Sequence, residues 1–300
     1  MRELACYMVS GKTAGSRAGE AASALDPRPL AGALGVEIDG ADVKAWSDAA
    51  VADLAQLLAE RHLVAIRGQN LSPSQLGAFA RRLGEPEEYP FAKALPEDPF
   101  VVPIVKEPED ATNFGGIWHT DSSYLERPPA TTMLYAVEVP PTGGDTWFAD
   151  MQLAFEALSP AMRAWLSSLQ GEFTAKLVHD ADGEHAYGAG ADRNRRDAGG
   201  RVTECVHPVI RTHPSTGRKG IYASLAHTRR FAGFTRDESL AVLEFLHRHA
   251  TQERFCTRLK WARGTLTLWD NRAVQHYPLN DYPGQRRVML RVILKGERPA

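Results

Sequence analysis

The sequence predicts a mixed α/β protein with a mainly β core, a barrel-like β-sandwich decorated by helices. Strand-like runs concentrate in the middle and C-terminal parts, as in "ATTMLYAVEV", "TLTLWD" and "RRVMLRVILKG". Helical patterns lead these runs or are inserted between them. Internal repeats and low-complexity runs are missing, which argues against a solenoid.

The elements follow in order. Residues 1–27 are rich in small residues and are expected to form a flexible N-terminal extension ending near Pro27. They contain "SGKT", but a phosphate-binding loop needs a glycine five positions before Gly11, where Cys6 stands, and no apolar strand precedes it. "SDAAVADLAQLLAERH" places Val51, Leu54, Leu57 and Leu58 on one helical stripe, and "LVAIRG" reads as a buried strand. In "SPSQLGAFARRLG", Ser72 is the N-cap, Pro73 the first helical residue and Gly84 the stop. The strand "ATTMLYAVEV" is broken by "PPTGG", after which Asp150 and then Ser159 with Pro160 signal helix starts.

Residues 180–201 carry no apolar period and are expected to form a mobile surface loop, a candidate lid containing His185, Tyr187, Arg193, Arg195 and Arg196. Strands are then expected in "VTECVHPVIRTHP" and "KGIYAS", followed by a helix opened by the capping box Thr235–Glu238. The chain returns to strands in "RFCTRLKW", "TLTLWD" and "RRVMLRVILKG".

Composition narrows the function. With 35 basic and 37 acidic residues the formal net charge is -2, so neither a nucleic-acid nor a membrane surface is indicated. Cys6, Cys205 and Cys256 are too few and too scattered for a disulfide framework or a zinc ribbon. Free thiols, no apolar signal core at the N-terminus and no run of roughly 18 to 20 apolar residues lead to the expectation of a soluble, cytoplasmic protein.

The chemistry is concentrated in "GGIWHTDSSY". His119 and Asp121 are two positions apart, so on an extended segment both side chains face one way. Alone, such a triplet is more often a turn pair; as a metal site it needs a third ligand, for which His276 after "TLTLWD" is the best candidate. Two imidazoles and one carboxylate leave open positions on a divalent ion, the arrangement of non-haem iron oxygenases. In "RRVMLRV", Arg287, Met289 and Arg291 share a strand face. Two buried guanidinium groups there would call for carboxylate partners, whereas an exposed edge strand would leave them solvated.

Taken together, "WHTD", "GGDT", "WDNR" with His276 four residues later, and the arginines eleven and fifteen positions after that histidine resemble the TauD/TfdA family of iron(II) and 2-oxoglutarate-dependent dioxygenases. The resemblance runs from "PLAGALGVEIDG" to "RVILKGERP" and implies a single domain over residues 28–300 with a double-stranded β-helix, a jelly-roll variant. It implies Fe(II) held by His119, Asp121 and His276. It also implies 2-oxoglutarate bound with the help of Thr146, Arg287 and Trp261, with Arg291 approaching the cosubstrate or the anionic group of the prime substrate. The intact aspartate disfavours a halogenase.

The implied reaction consumes O2 and 2-oxoglutarate, releases succinate and CO2, and hydroxylates a small organic acid: a sulfonate, an alkyl sulfate, an aryloxyalkanoate or a related carboxylate. Where the attacked carbon bears a heteroatom, the product can cleave. Gly115 and Gly116 offer no side-chain donor before the motif, which disfavours taurine itself. Trp118 and Trp147 are candidates to wall off the pocket, and Asp270 and Asn271 to orient His276. A zinc hydrolase and a non-catalytic small-molecule binding protein on the same scaffold are the alternatives. A homo-oligomer, dimer or tetramer, is expected on general grounds.

Overall fold

The computed structural model describes residues 25–179 and 200–300. Nearly all of the expected N-terminal extension, with Cys6, and nearly all of the expected lid loop, with His185, Tyr187 and its arginines, lie outside the described residues.

A sheet of eight strands forms the centre. Its order is Arg28–Pro29, Val36–Ile38, Leu63–Ile66, Leu266–Asp270, Thr131–Glu138, Arg287–Leu294 and Pro86–Glu87, with Val102–Lys106 also paired to Arg287–Leu294. All pairings are antiparallel except Val36–Ile38 with Leu63–Ile66, which run parallel. The helix Asp48–Arg61 makes the crossover that a parallel pair requires. Ser47 caps it, and Val51, Leu54 and Leu58 of the expected stripe are buried while Leu57 is only partly so.

Alternation along the strands gives the large sheet two covered faces. Val64, Ile66, Met133, Tyr135, Leu290 and Val292 pack with residues of the helices Asp48–Arg61 and Pro73–Leu83. On the other face, Leu63, Ala65, Ala136, Trp269 and Met289 meet Phe148, Leu259 and Val274 of a three-stranded sheet, ordered Cys256–Leu259, Thr146–Asp150, Val274–Pro278. The strand–turn–strand segment 266–278 spans both layers, since its first strand belongs to the large sheet and its second to the small one. Further core is built around the helices Met151–Glu156 and Arg236–Ala250.

The local signals are realised where side-chain chemistry fixes them. Ser72 with Gln75 and Thr235 with Glu238 form complete capping boxes, and Gly84 ends the first of these helices. The strand Arg287–Leu294 lies inside the sheet with neighbours on both sides, so the exposed-edge alternative for its arginines does not hold. No helix among the described residues is long and apolar enough to cross a membrane.

Candidate active site

His119 and Asp121 lie on a loop leading into the large sheet, and His276 lies on the strand Val274–Pro278. A two-residue antiparallel bridge joins them: the His119 amide donates to the His276 carbonyl at 3.1 Å, and the His276 amide donates back at 2.8 Å. The two rings sit 4.2 Å apart between centroids. Each of His119, Asp121 and His276 offers a ligand atom within 4.8 Å of the others, and all three are buried.

Local hydrogen bonding selects the ligand atoms. His119 Nδ1 lies 2.6 Å from the Ile117 carbonyl, which can only accept, so Nδ1 carries the proton and Nε2 keeps its lone pair. That Nε2 is 3.7 Å from Asp121 Oδ1. Asp121 Oδ2 accepts from the Thr132 hydroxyl at 2.5 Å. His276 Nδ1 is buried without a hydrogen-bond partner, against Phe148 and Trp269.

The charge states suit metal binding. Burial alone would raise the Asp121 carboxyl, but the Arg291 guanidinium, with His119 and His276, holds it far below the usual carboxylate range. Burial, reinforced by His119, lowers His276 to about 3, so its ring is neutral near pH 7. Two imidazoles and an ionised carboxylate are the donor set the sequence suggested.

Both arginines face the same cavity as this cluster, together with Thr146, Trp261, Trp269, Leu134, Phe114 and Gly115. Arg287 is 7% exposed, its Nε and Nη2 have no hydrogen-bond partner, and burial lowers it from its ordinary value. Among the described residues it makes no salt bridge, and its guanidinium carbon stands 5.7 Å from the Trp261 ring. Trp261 Nε1 donates to Thr146 Oγ1 at 2.9 Å, which leaves the threonine's own proton free for another acceptor. Arg291 lies over the Tyr89 ring at 4.0 Å and 3.8 Å from Asp121 Oδ1, yet its Nε and Nη2 are also unpartnered. Burial would lower Arg291, but Asp121 holds it above its ordinary value. Orphaned guanidinium nitrogens in a cavity are a recognition surface for anions.

The seven residues expected to bind metal and cosubstrate, His119, Asp121, His276, Thr146, Trp261, Arg287 and Arg291, therefore line one cavity. Trp118 and Trp147 do not. Trp147 alternates with Thr146 and Phe148 and points to the opposite strand face, where both tryptophans pack on another apolar cluster. Asp270 and Asn271 do not reach His276: Asp270 pairs with Arg272 and His213, and Asn271 donates to Thr132. Tyr89, Phe114 and Thr132 were not anticipated. Thr132 shares a strand face with the cavity-lining Leu134, a period-2 signal present in "TTML".

Comparison with known proteins gives consistent relatives. The family model described as taurine catabolism dioxygenase TauD, TfdA family matches residues 26–293. An alpha-ketoglutarate-dependent sulfate ester dioxygenase from Pseudomonas putida is 32% identical over 92% of this chain and 91% of its own. An alpha-ketoglutarate-dependent 2,4-dichlorophenoxyacetate dioxygenase from Cupriavidus pinatubonensis is 32% identical over 75% of this chain and 82% of its own. The crystal structure of a taurine dioxygenase from Burkholderia xenovorans superposes with a TM-score of 0.76 at 30% identity, covering 92% of this chain and 91% of that one.

Proposed function

The chain belongs to the taurine catabolism dioxygenase TauD, TfdA family, and from that premise we propose that it oxidises a small organic anion using 2-oxoglutarate and O2 at an Fe(II) centre held by His119, Asp121 and His276. Two buried arginines with unpartnered nitrogens beside a His–Asp–His cluster carry this reading. When bound, iron and 2-oxoglutarate supply the oxidising chemistry, yielding succinate and CO2 with the oxidised product.

The protein's own groups bind, orient and exclude water. Arg287 and the Thr146 hydroxyl would hold a carboxylate of 2-oxoglutarate, and Trp261 holds that threonine in place and walls the pocket. Arg291, beside Asp121 and backed by Tyr89, attracts the anionic group of the prime substrate or the cosubstrate. Leu134, Phe114 and Trp269 keep the chamber apolar between these polar points. The sulfate ester and aryloxyacetate activities named for the two relatives support a sulfonate, alkyl sulfate, aryloxyalkanoate or related carboxylate as substrate.

We read residues 28–300 as one domain, a double-stranded β-helix in which the eight-stranded sheet faces the three-stranded one, and the protein as a cytoplasmic homo-oligomer. The test is an anaerobic titration of the Fe(II)-loaded protein with 2-oxoglutarate, followed by a screen of organic acids for stimulated succinate formation. A visible charge-transfer absorption on adding 2-oxoglutarate, lost in His119→Ala, is expected. No band and no oxygen-dependent succinate would return the assignment to a zinc hydrolase or a binding protein.

A further inference from the structure

We propose that Thr132 is the positioning residue for Asp121, as the last link of a buried chain of directed hydrogen bonds that runs from Trp269 through Asn271 to the carboxylate. The inference rests on the metal reading above and adds a role for residues outside the ligand set.

The direction of each bond is fixed by chemistry. The Trp269 indole N–H can only donate, and it does so to Asn271 Oδ1 at 2.9 Å. That contact decides which way the Asn271 amide faces, so Nδ2 is the group 2.9 Å from Thr132 Oγ1, and it too can only donate. Thr132 has one proton, and with its oxygen accepting from Asn271 that proton goes to Asp121 Oδ2 at 2.5 Å. All four side chains are buried, between 0% and 4% exposed, so water does not compete for any link.

Two consequences follow for the site. Oδ2 is occupied by the hydroxyl, so Oδ1 is the oxygen turned toward His119 Nε2 at 3.7 Å and Arg291 Nη1 at 3.8 Å. A carboxylate held this way would offer an ion Oδ1, its other oxygen being held by the hydroxyl. In addition, Trp269 and Asn271 belong to the strand–turn–strand segment 266–278 that carries His276, so the chain ties the Asp121 segment to the element bearing the distant histidine.

The experiment compares Mn(II) affinity of the metal-free parent, Thr132→Val, Thr132→Ser and Asn271→Ala by calorimetric titration, alongside thermal unfolding of each metal-free protein. Valine keeps the branched shape and removes only the hydroxyl. Thr132→Val is expected to bind Mn(II) about 10-fold or more weakly, with Thr132→Ser within about 3-fold of the parent, as outer hydrogen-bond partners of metal ligands typically behave. Asn271→Ala, which frees the hydroxyl to turn, should fall between them, and it carries the test should Thr132→Val not fold. A merely structural role would lower the melting temperature and leave affinity alone; a folded Thr132→Val (or, failing it, Asn271→Ala) within about 2-fold of the parent overturns the proposal. A parent that takes up no Mn(II) overturns the metal reading itself, and the proposal with it.

Discussion

His119 and His276 are hydrogen-bonded to each other through their backbones, amide to carbonyl in both directions, at 3.1 and 2.8 Å. The bridge sets the two imidazoles side by side before any ion arrives, and the segment before it must leave room for the rings. Gly115 does so with φ +79; a Cβ there would stand 3.0 Å from His119 Cε1 and 3.5 Å from Pro278 Cγ. Gly115→Ala is therefore expected to displace the His119 ring and weaken Mn(II) or Fe(II) binding by about 10-fold, within the range seen for disturbed ligand support. Calorimetric titration checks this, and unchanged metal affinity would show that the ring has room to spare.

Arg287 stands in the cavity with two nitrogens unsatisfied. Arg287→Gln shortens the side chain, keeps a neutral polar end and loses the charge. A charge-assisted hydrogen bond contributes about 1.5 to 3 kcal/mol, so 2-oxoglutarate affinity should fall by about 10- to 100-fold. Metal affinity should stay the same, since Arg287 touches none of the three ligands. Direct binding of 2-oxoglutarate to the metal-loaded variant is the measurement, and parent-like affinity would assign the carboxylate grip elsewhere.

Acid should destabilise the metal-free protein. Burial lowers His276 to about 3, drives His227 well below its usual value with help from His119 and His179, and lowers His207. An unfolded imidazole titrates near ~6.5, so below that pH the unfolded chain takes up protons that the folded one refuses. The stability these three groups permit is complete above about pH 6.5 and drains away as pH falls toward their folded values. Asp150 and Glu87, whose carboxyls burial pushes up, work in the opposite sense, while His62, lowered by burial, joins the other imidazoles, four groups against two. The melting temperature should fall from pH 7.5 to pH 5; a flat or rising profile would contradict this account.

Thr235 caps the helix Arg236–Ala250, accepting from the Glu238 amide while Glu238 accepts from the Thr235 amide. Thr235→Ala is expected to cost about 1 kcal/mol. Denaturant unfolding measures it, and because the cap is remote from the cavity, metal and 2-oxoglutarate affinities should not change.

What was legible in the sequence was local or ordered along the chain. Ser72 and Thr235 announce their helices because a capping box is a four-residue device, and Arg287 and Arg291 announce a shared face because a strand repeats every two residues. The convergence of His119, Asp121 and His276 was readable only from the order and spacing of motifs, since nothing near His276 identifies its partner. Thr132 and Tyr89 escaped because their roles depend on contacts between strands and loops far apart in sequence. Trp147 takes the commoner place of a tryptophan, against an apolar cluster, because one step along a strand reverses the direction of a side chain.

The bridge between His119 and His276 joins residues 157 positions apart in the sequence. A nascent polypeptide emerging from the ribosome therefore owns two of the three ligands long before it can gather the last. Until the segment 266–278 has docked, a ferrous ion would meet only a loose histidine and aspartate. On the proposed Fe(II) reading, iron loading would wait until both layers have assembled, which would spare half-made chains a redox-active metal.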